Sequence, residues 1–327
     1  MRSLRAFCVS ALLLYGMASF AANITGTLYF TTFAGGANVH TVGFTYNPGV
    51  SFMLGSVVDL TPTPGADGLL FDPLNGNLMV AGQSSGFVSE EPNTGGTVTN
   101  VNVGPAGQSY HLALTSNNSA VWNMANGQNA FISVVPLPFN SASGTSYPVT
   151  GNDTDIRGVI FDPQTSQYYY TTAPDGGTGN FGSIVFTGSS FVTTRITSGL
   201  YAHGISYDPF SHDLIVNSAN VIQQITTTGT IVGQITTLGD QFDQAAENGK
   251  GLLFVASNTG NLLFADYAAT GNIGSGTFYS EQFLAGALDD IAPLSGSGAP
   301  TPEPGTLLLL GTSVVGVAGM LRRKLKA

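Results

Sequence analysis

Six residues with carboxylate or imidazole side chains, Asp67, His111, Asp155, His203, Asp243 and Asp289, stand at the heads of apolar segments. The starts from 67 to 243 recur at roughly 40 to 48 residues, an interval typical of a repeated structural unit. Units stacked in register would bring these six to one level as a ring. Oxygen and nitrogen donors in a ring suit a divalent cation or acid–base work. The plainer reading is that Asp or His beside Gly at a strand start satisfies turn amides. That reading is favoured, because Glu90, Glu91, Glu247 and Glu281 occupy no matching places in the repeats. No catalytic residue and no metal ligand is therefore assigned, and the six stand as channel-ring candidates. No cofactor is expected; if the ring binds anything, it is a divalent cation such as calcium.

Other chemistries find less support. Asn152-Asp153-Thr154-Asp155 alternates oxygen donors but lacks the Gly and the bidentate Glu of a calcium loop, so a solvated turn is favoured. No Gly-x-Ser-x-Gly occurs at a strand-to-helix junction, and no phosphate loop or dinucleotide fingerprint is present. Glu90-Glu91 and Asp289-Asp290 are adjacent pairs, and neighbours on a strand point to opposite faces. Tyr168-Tyr169-Tyr170 could stack on a sugar, but aromatic side chains on a strand serve core packing more often.

The elements that must position these residues are strands. Asp67-Gly68-Leu69-Leu70-Phe71-Asp72-Pro73 leads through a turn to Leu78-Met79-Val80. The pattern returns in Gly158-Val159-Ile160-Phe161-Asp162-Pro163 and in His203-Gly204-Ile205-Ser206-Tyr207-Asp208-Pro209, with looser copies near 111 and 243. Asp72, Asp162 and Asp208 before Pro read as turn caps, since Asp bonds the amides beyond it and Pro fixes φ. Two further strands follow in each unit, as expected of a β-propeller blade. The chain starts inside a blade that lacks its innermost strand, and Ala287 to Pro293 would supply it and close the ring. The fold expected is all-β, a six-bladed β-propeller. The strand motif resembles that of secreted bacterial propellers with NHL-, YVTN- or SMP-30-type repeats, families that include enzymes and binding scaffolds alike. Within the propeller class, resemblance to lactonases and gluconolactonases implies a divalent cation held at the channel mouth.

The two ends read as addresses. Arg2 and Arg5, an apolar run from Ala6 to Ala18 and Ser19-Phe20-Ala21 form a signal peptide over 1–21. The propeller is expected over 22–294, a Gly/Ser/Pro linker over 295–304, a single transmembrane helix over 305–321 and a basic cytoplasmic tail over 322–327. Pro302-Glu303-Pro304, the short apolar segment and Arg322-Arg323-Lys324 resemble the PEP-CTERM sorting signal of Gram-negative bacteria. That resemblance implies export, recognition by an exosortase, and an envelope or matrix location linked to exopolysaccharide and biofilm. Between the ends only Arg157, Arg195 and Lys250 are basic, in a chain of net charge -10, so nucleic acid is excluded as a partner. The one cysteine, Cys8, lies in the signal region, so no disulfide or thiolate zinc site is expected in the body. A non-catalytic matrix component is favoured over a metal-dependent hydrolase of lactonase type.

Overall fold

The computed structural model describes residues 22–32, 38–63, 65–83, 87–102, 108–115, 119–126, 129–138 and 144–293. The segments expected as signal peptide, linker, membrane helix and tail lie outside the described residues, as do Pro302, Glu303, Pro304, Arg322, Arg323 and Lys324. Among the described residues no helix is long and apolar enough to cross a membrane. The helical turn Ile273–Ser275 interrupts an otherwise all-β body.

The segments that open each repeat are strands: Ala66–Phe71, Gln108–Leu114, Gly158–Asp162, Gly204–Tyr207, Phe242–Glu247 and Leu288–Pro293. Each packs against the next, and Leu288–Pro293 packs against Ala66–Phe71, so the six close a ring. They line a cavity of about 700 Å³. Approach of these strands requires glycine. A Cβ on Gly68 would collide with the Tyr110 carbonyl, and one on Gly204 with the Asp243 carbonyl.

The Asp-Pro turns form as their residue types dictate. Asp72 Oδ1 accepts from the Leu74 amide at 2.7 Å, Asp162 Oδ1 from Gln164 at 2.8 Å, and Asp208 Oδ1 from Phe210 at 2.9 Å. Tyr169 stacks on Phe181 at 5.5 Å and Tyr168 packs against Phe161 and Phe191, so this aromatic run serves the core.

Ring closure joins the two ends of the body. Leu288–Pro293 pairs antiparallel with Ile24–Thr32 through Tyr29↔Ala292 and Phe30↔Ile291, which completes a four-stranded sheet. Leu28, Phe30, Leu288 and Ile291 are buried there with Phe44, Phe254 and Phe264. Each such side chain contributes about 1.5 to 3 kcal/mol by leaving water.

Six separate blades were the expectation, and among the described residues the hydrogen-bonded sheets number five: four of four strands and one of eight. The eight-stranded sheet arises where Thr145–Gly151 runs parallel to Phe191–Leu200, with Val149↔Phe191, Thr150↔Val192 and Gly151↔Thr193 in register. Gly151, at φ 110°, permits this. Any side chain there would strike the Thr193 backbone, while Thr193 Oγ1 fastens the seam by donating to the carbonyls of Thr150 and Asp153 at 3.0 and 2.7 Å.

Candidate functional site

Four inner strands carry a register shift where the ring candidates sit. Ala66–Phe71 slips across Asp67 and Gly68, Gln108–Leu114 across Tyr110 and His111, and Phe242–Glu247 across Asp243 and Gln244. The pairing of Leu288–Pro293 shifts between Phe30 and Thr32, opposite Asp289 and Asp290. A bulge re-aims side chains and releases them from strict alternation. His203 stands just before its strand, with its amide donating to the Asn217 carbonyl at 2.9 Å.

The result is one buried cluster at the leading ends of the inner strands. His203 Nε2 lies 3.2 Å from Asp243 Oδ1 and 2.9 Å from Asp175 Oδ1. Its Nδ1 lies 2.8 Å from the Ala173 carbonyl, an acceptor, so Nδ1 carries the proton. The His111 and His203 rings sit edge to face with centroids 5.3 Å apart. His111 Nδ1 is 3.8 Å from Asp67 Oδ1 and 3.9 Å from Asp290 Oδ2, too far for hydrogen bonds. Neither ring nitrogen of His111 has a hydrogen-bond partner, although its side chain is fully buried. Asp67 Oδ1 and Asp289 Oδ2 are likewise buried and unpartnered.

Electrostatics follow from crowding. Burial, then the charge of Asp243, pushes the Asp67 carboxyl far above the usual range, against the pull of His111. Burial, then Asp67, Asp243 and Asp290, does the same to Asp289. Burial also raises Asp290, while His111 draws it back. Burial would lower both imidazoles. The carboxylates of Asp175 and Asp243 outweigh it at His203, and those of Asp290, Asp243 and Asp67 at His111, so both histidines favour the protonated form. Asp175 is held below its ordinary value by its bond to His203.

Five of the six ring candidates thus converge: Asp67, His111, His203, Asp243 and Asp289. Asp155 does not. Its side chain is 59% exposed and pairs with Arg157 at 3.3 Å. In the other well-formed repeats the ring residue directly precedes glycine, whereas here Arg157 precedes Gly158 and Asp155 lies further out. Two carboxylates that the repeat did not signal join the cluster. Asp175 comes from the loop after strand Gln167–Thr171, and Asp290 is the neighbour of Asp289. Asp290 turns towards the Leu69 amide, which donates to it at 2.7 Å. Asp289 turns the other way, where the Asn258 amide in its donating orientation lies 3.0 Å from Oδ1. The calcium-like run is a turn: Asp153 is filled by Arg195, Tyr170 and Asn180.

Beside the buried cluster is a more open rim. The Arg157 guanidinium lies 5.0 Å over the Tyr110 ring and donates to its hydroxyl, and the Tyr110 ring stands edge-on to His203 at 6.2 Å. Asp175 is half exposed, so the rim leads from solvent to His203.

Comparison with solved structures places the body among known folds. A chain from a nidogen/laminin complex is 15% identical with a TM-score of 0.62, covering 83% of this chain and 98% of that one. A putative 6-phosphogluconolactonase from Bacteroides uniformis is 10% identical with a TM-score of 0.54, covering 80% and 84%. Virginiamycin B lyase from Staphylococcus aureus is 11% identical with a TM-score of 0.50, covering 81% and 85%. At such identities the likeness is one of fold. No curated protein matches the chain. Residues 300–324 match the PEP-CTERM protein-sorting motif. The chain therefore joins a β-propeller body to a PEP-CTERM sorting motif.

Proposed function

We propose that the chain is an exported propeller, sorted through the envelope by an exosortase, that binds exopolysaccharide of the extracellular matrix at the cluster end of its channel without transforming it. The sorting motif supports the address. The observation that carries the binding role is the rim of Asp155, Asp175 and Arg157, with Tyr110 beneath the guanidinium. Exposed carboxylates accept hydrogen bonds from sugar hydroxyls, and a guanidinium donates to them. The mature chain is retained by exopolysaccharide from its own host in a pull-down, and the Asp155→Ala, Arg157→Ala double variant is released. Wild-type protein that passes through unretained ends this reading.

A metal-dependent hydrolase of lactone type is the second reading. It is favoured by His203, held between two carboxylates at 2.9 and 3.2 Å. Chelator-sensitive turnover of a lactone that Asp243→Asn abolishes would select it, and turnover indifferent to both treatments excludes it.

A further inference from the structure

We propose that His111, His203 and Asp243 form a binding centre for one divalent first-row transition metal ion, with Asp67, Asp289 and Asp290 as the surrounding negative shell. This goes beyond the matrix-binding role and stands whether or not that role does. One ligand atom from each of the three residues lies within 4.8 Å of the other two. Ligand atoms about 2.1 Å from a shared metal stand roughly 3 to 4 Å apart, so modest side-chain rotation completes the set.

Three independent observations point to a cation. First, His111 is wholly buried with both ring nitrogens unpartnered, a costly arrangement unless a ligand completes it. Secondly, His203 Nδ1 is committed to the Ala173 carbonyl, which leaves Nε2 facing Asp175 and Asp243. A histidine oriented by a backbone carbonyl through its distal nitrogen is the usual outer support of a metal ligand. Thirdly, four carboxylates, Asp67, Asp175, Asp243 and Asp290, lie within 3.9 Å of the two imidazoles, and of the three basic residues in the body Arg157 alone stands beside them. Such negative crowding suits a cation, which would enter past half-exposed Asp175.

The donor set also selects the metal. Two imidazole nitrogens and one carboxylate suit zinc, manganese or iron(II), whereas calcium and magnesium call for an all-oxygen shell. The sequence led to no expected cofactor and, at most, a divalent cation such as calcium; the paired histidines move the choice to the transition series.

The test uses the full chain in detergent, stripped with chelator and reloaded separately with Zn²⁺, Mn²⁺, Co²⁺ or Ca²⁺. Expected are one tightly held equivalent of a transition metal by mass spectrometry, a raised Tm, and a cobalt visible spectrum characteristic of mixed nitrogen and oxygen ligation. His203→Ala and Asp243→Asn lose that equivalent, Asp289→Asn weakens it by about 10- to 100-fold as an outer partner should, and Asp162→Asn, at the far end of its strand, leaves it unchanged. Should a ligand variant fail to fold, the wild-type cobalt spectrum decides alone. No bound equivalent, calcium held as tightly as zinc, or an equal loss in Asp162→Asn overturns the proposal.

Discussion

Two of the three well-formed repeats place an acid or histidine at both ends of the inner strand, Asp67 with Asp72 and His203 with Asp208, and the two ends use them differently. At the Asp-Pro end the carboxylates serve their own turns, and Asp72 Oδ2 alone of them is buried without a partner. Asp208 alone accepts from the amides of Phe210 and Ser211 and from the Ser211 hydroxyl. At the other end Asp67, His111 and Asp289 keep buried atoms without partners. The contrast comes from the backbone. A turn offers free amides to the side chain that opens it, whereas a bulge turns the side chain towards its counterparts on neighbouring strands. One repeat thus generates a structural ring of acids and an electrostatically frustrated one.

The contrast breaks most completely at the glycine that lets the strands meet. Gly204→Ala drives a methyl into the Asp243 backbone and costs about 3 kcal/mol, read from denaturant midpoints; an unchanged midpoint would show that the close approach is not needed. Glu247 sharpens it from the channel side, where its remaining exposure is to the cavity that it lines. Burial, then Asp208, raises its carboxyl to about 8. The folded protein therefore retains a proton that the unfolded chain has released, so the contribution is full below about pH 4.5 and fades as pH rises towards 8. Glu247→Gln should be about 2 kcal/mol more stable than wild type at pH 9, with no advantage at pH 4. Parallel stability curves for the two proteins would refute this. Asp208→Ala, which orphans three donors, should cost about 1.5 kcal/mol while leaving metal content untouched; loss of metal there would erase the division between the ends. Asp155→Asn should shift thermal stability by less than about 0.5 kcal/mol, as an exposed substitution does, and any larger change would return Asp155 to the ring.

Much of this was legible in the sequence because repeats advertise themselves. The Asp-Pro turns, the six inner strands and the returning last strand follow from local residue types, and five ring members follow from their place in the repeat. What escaped depends on contacts with no period. The seam that fuses two four-stranded groups rests on Gly151 and Thr193, outside the shared motif. Asp175 reaches His203 from a loop. Asp155 misled because two residues separate it from the glycine that sets the level of its strand.

The returning strand has a consequence in time. Asp290 and Thr31, hydrogen-bonded at 2.9 Å, are separated by 259 positions, and contacts between such distant parts of a chain form late and slowly. The same strand brings Asp289 and Asp290. A polypeptide that folds as it emerges from its N-terminus therefore has no complete cluster until nearly all of the body is available, and the finished cluster is a certificate that the ring has latched.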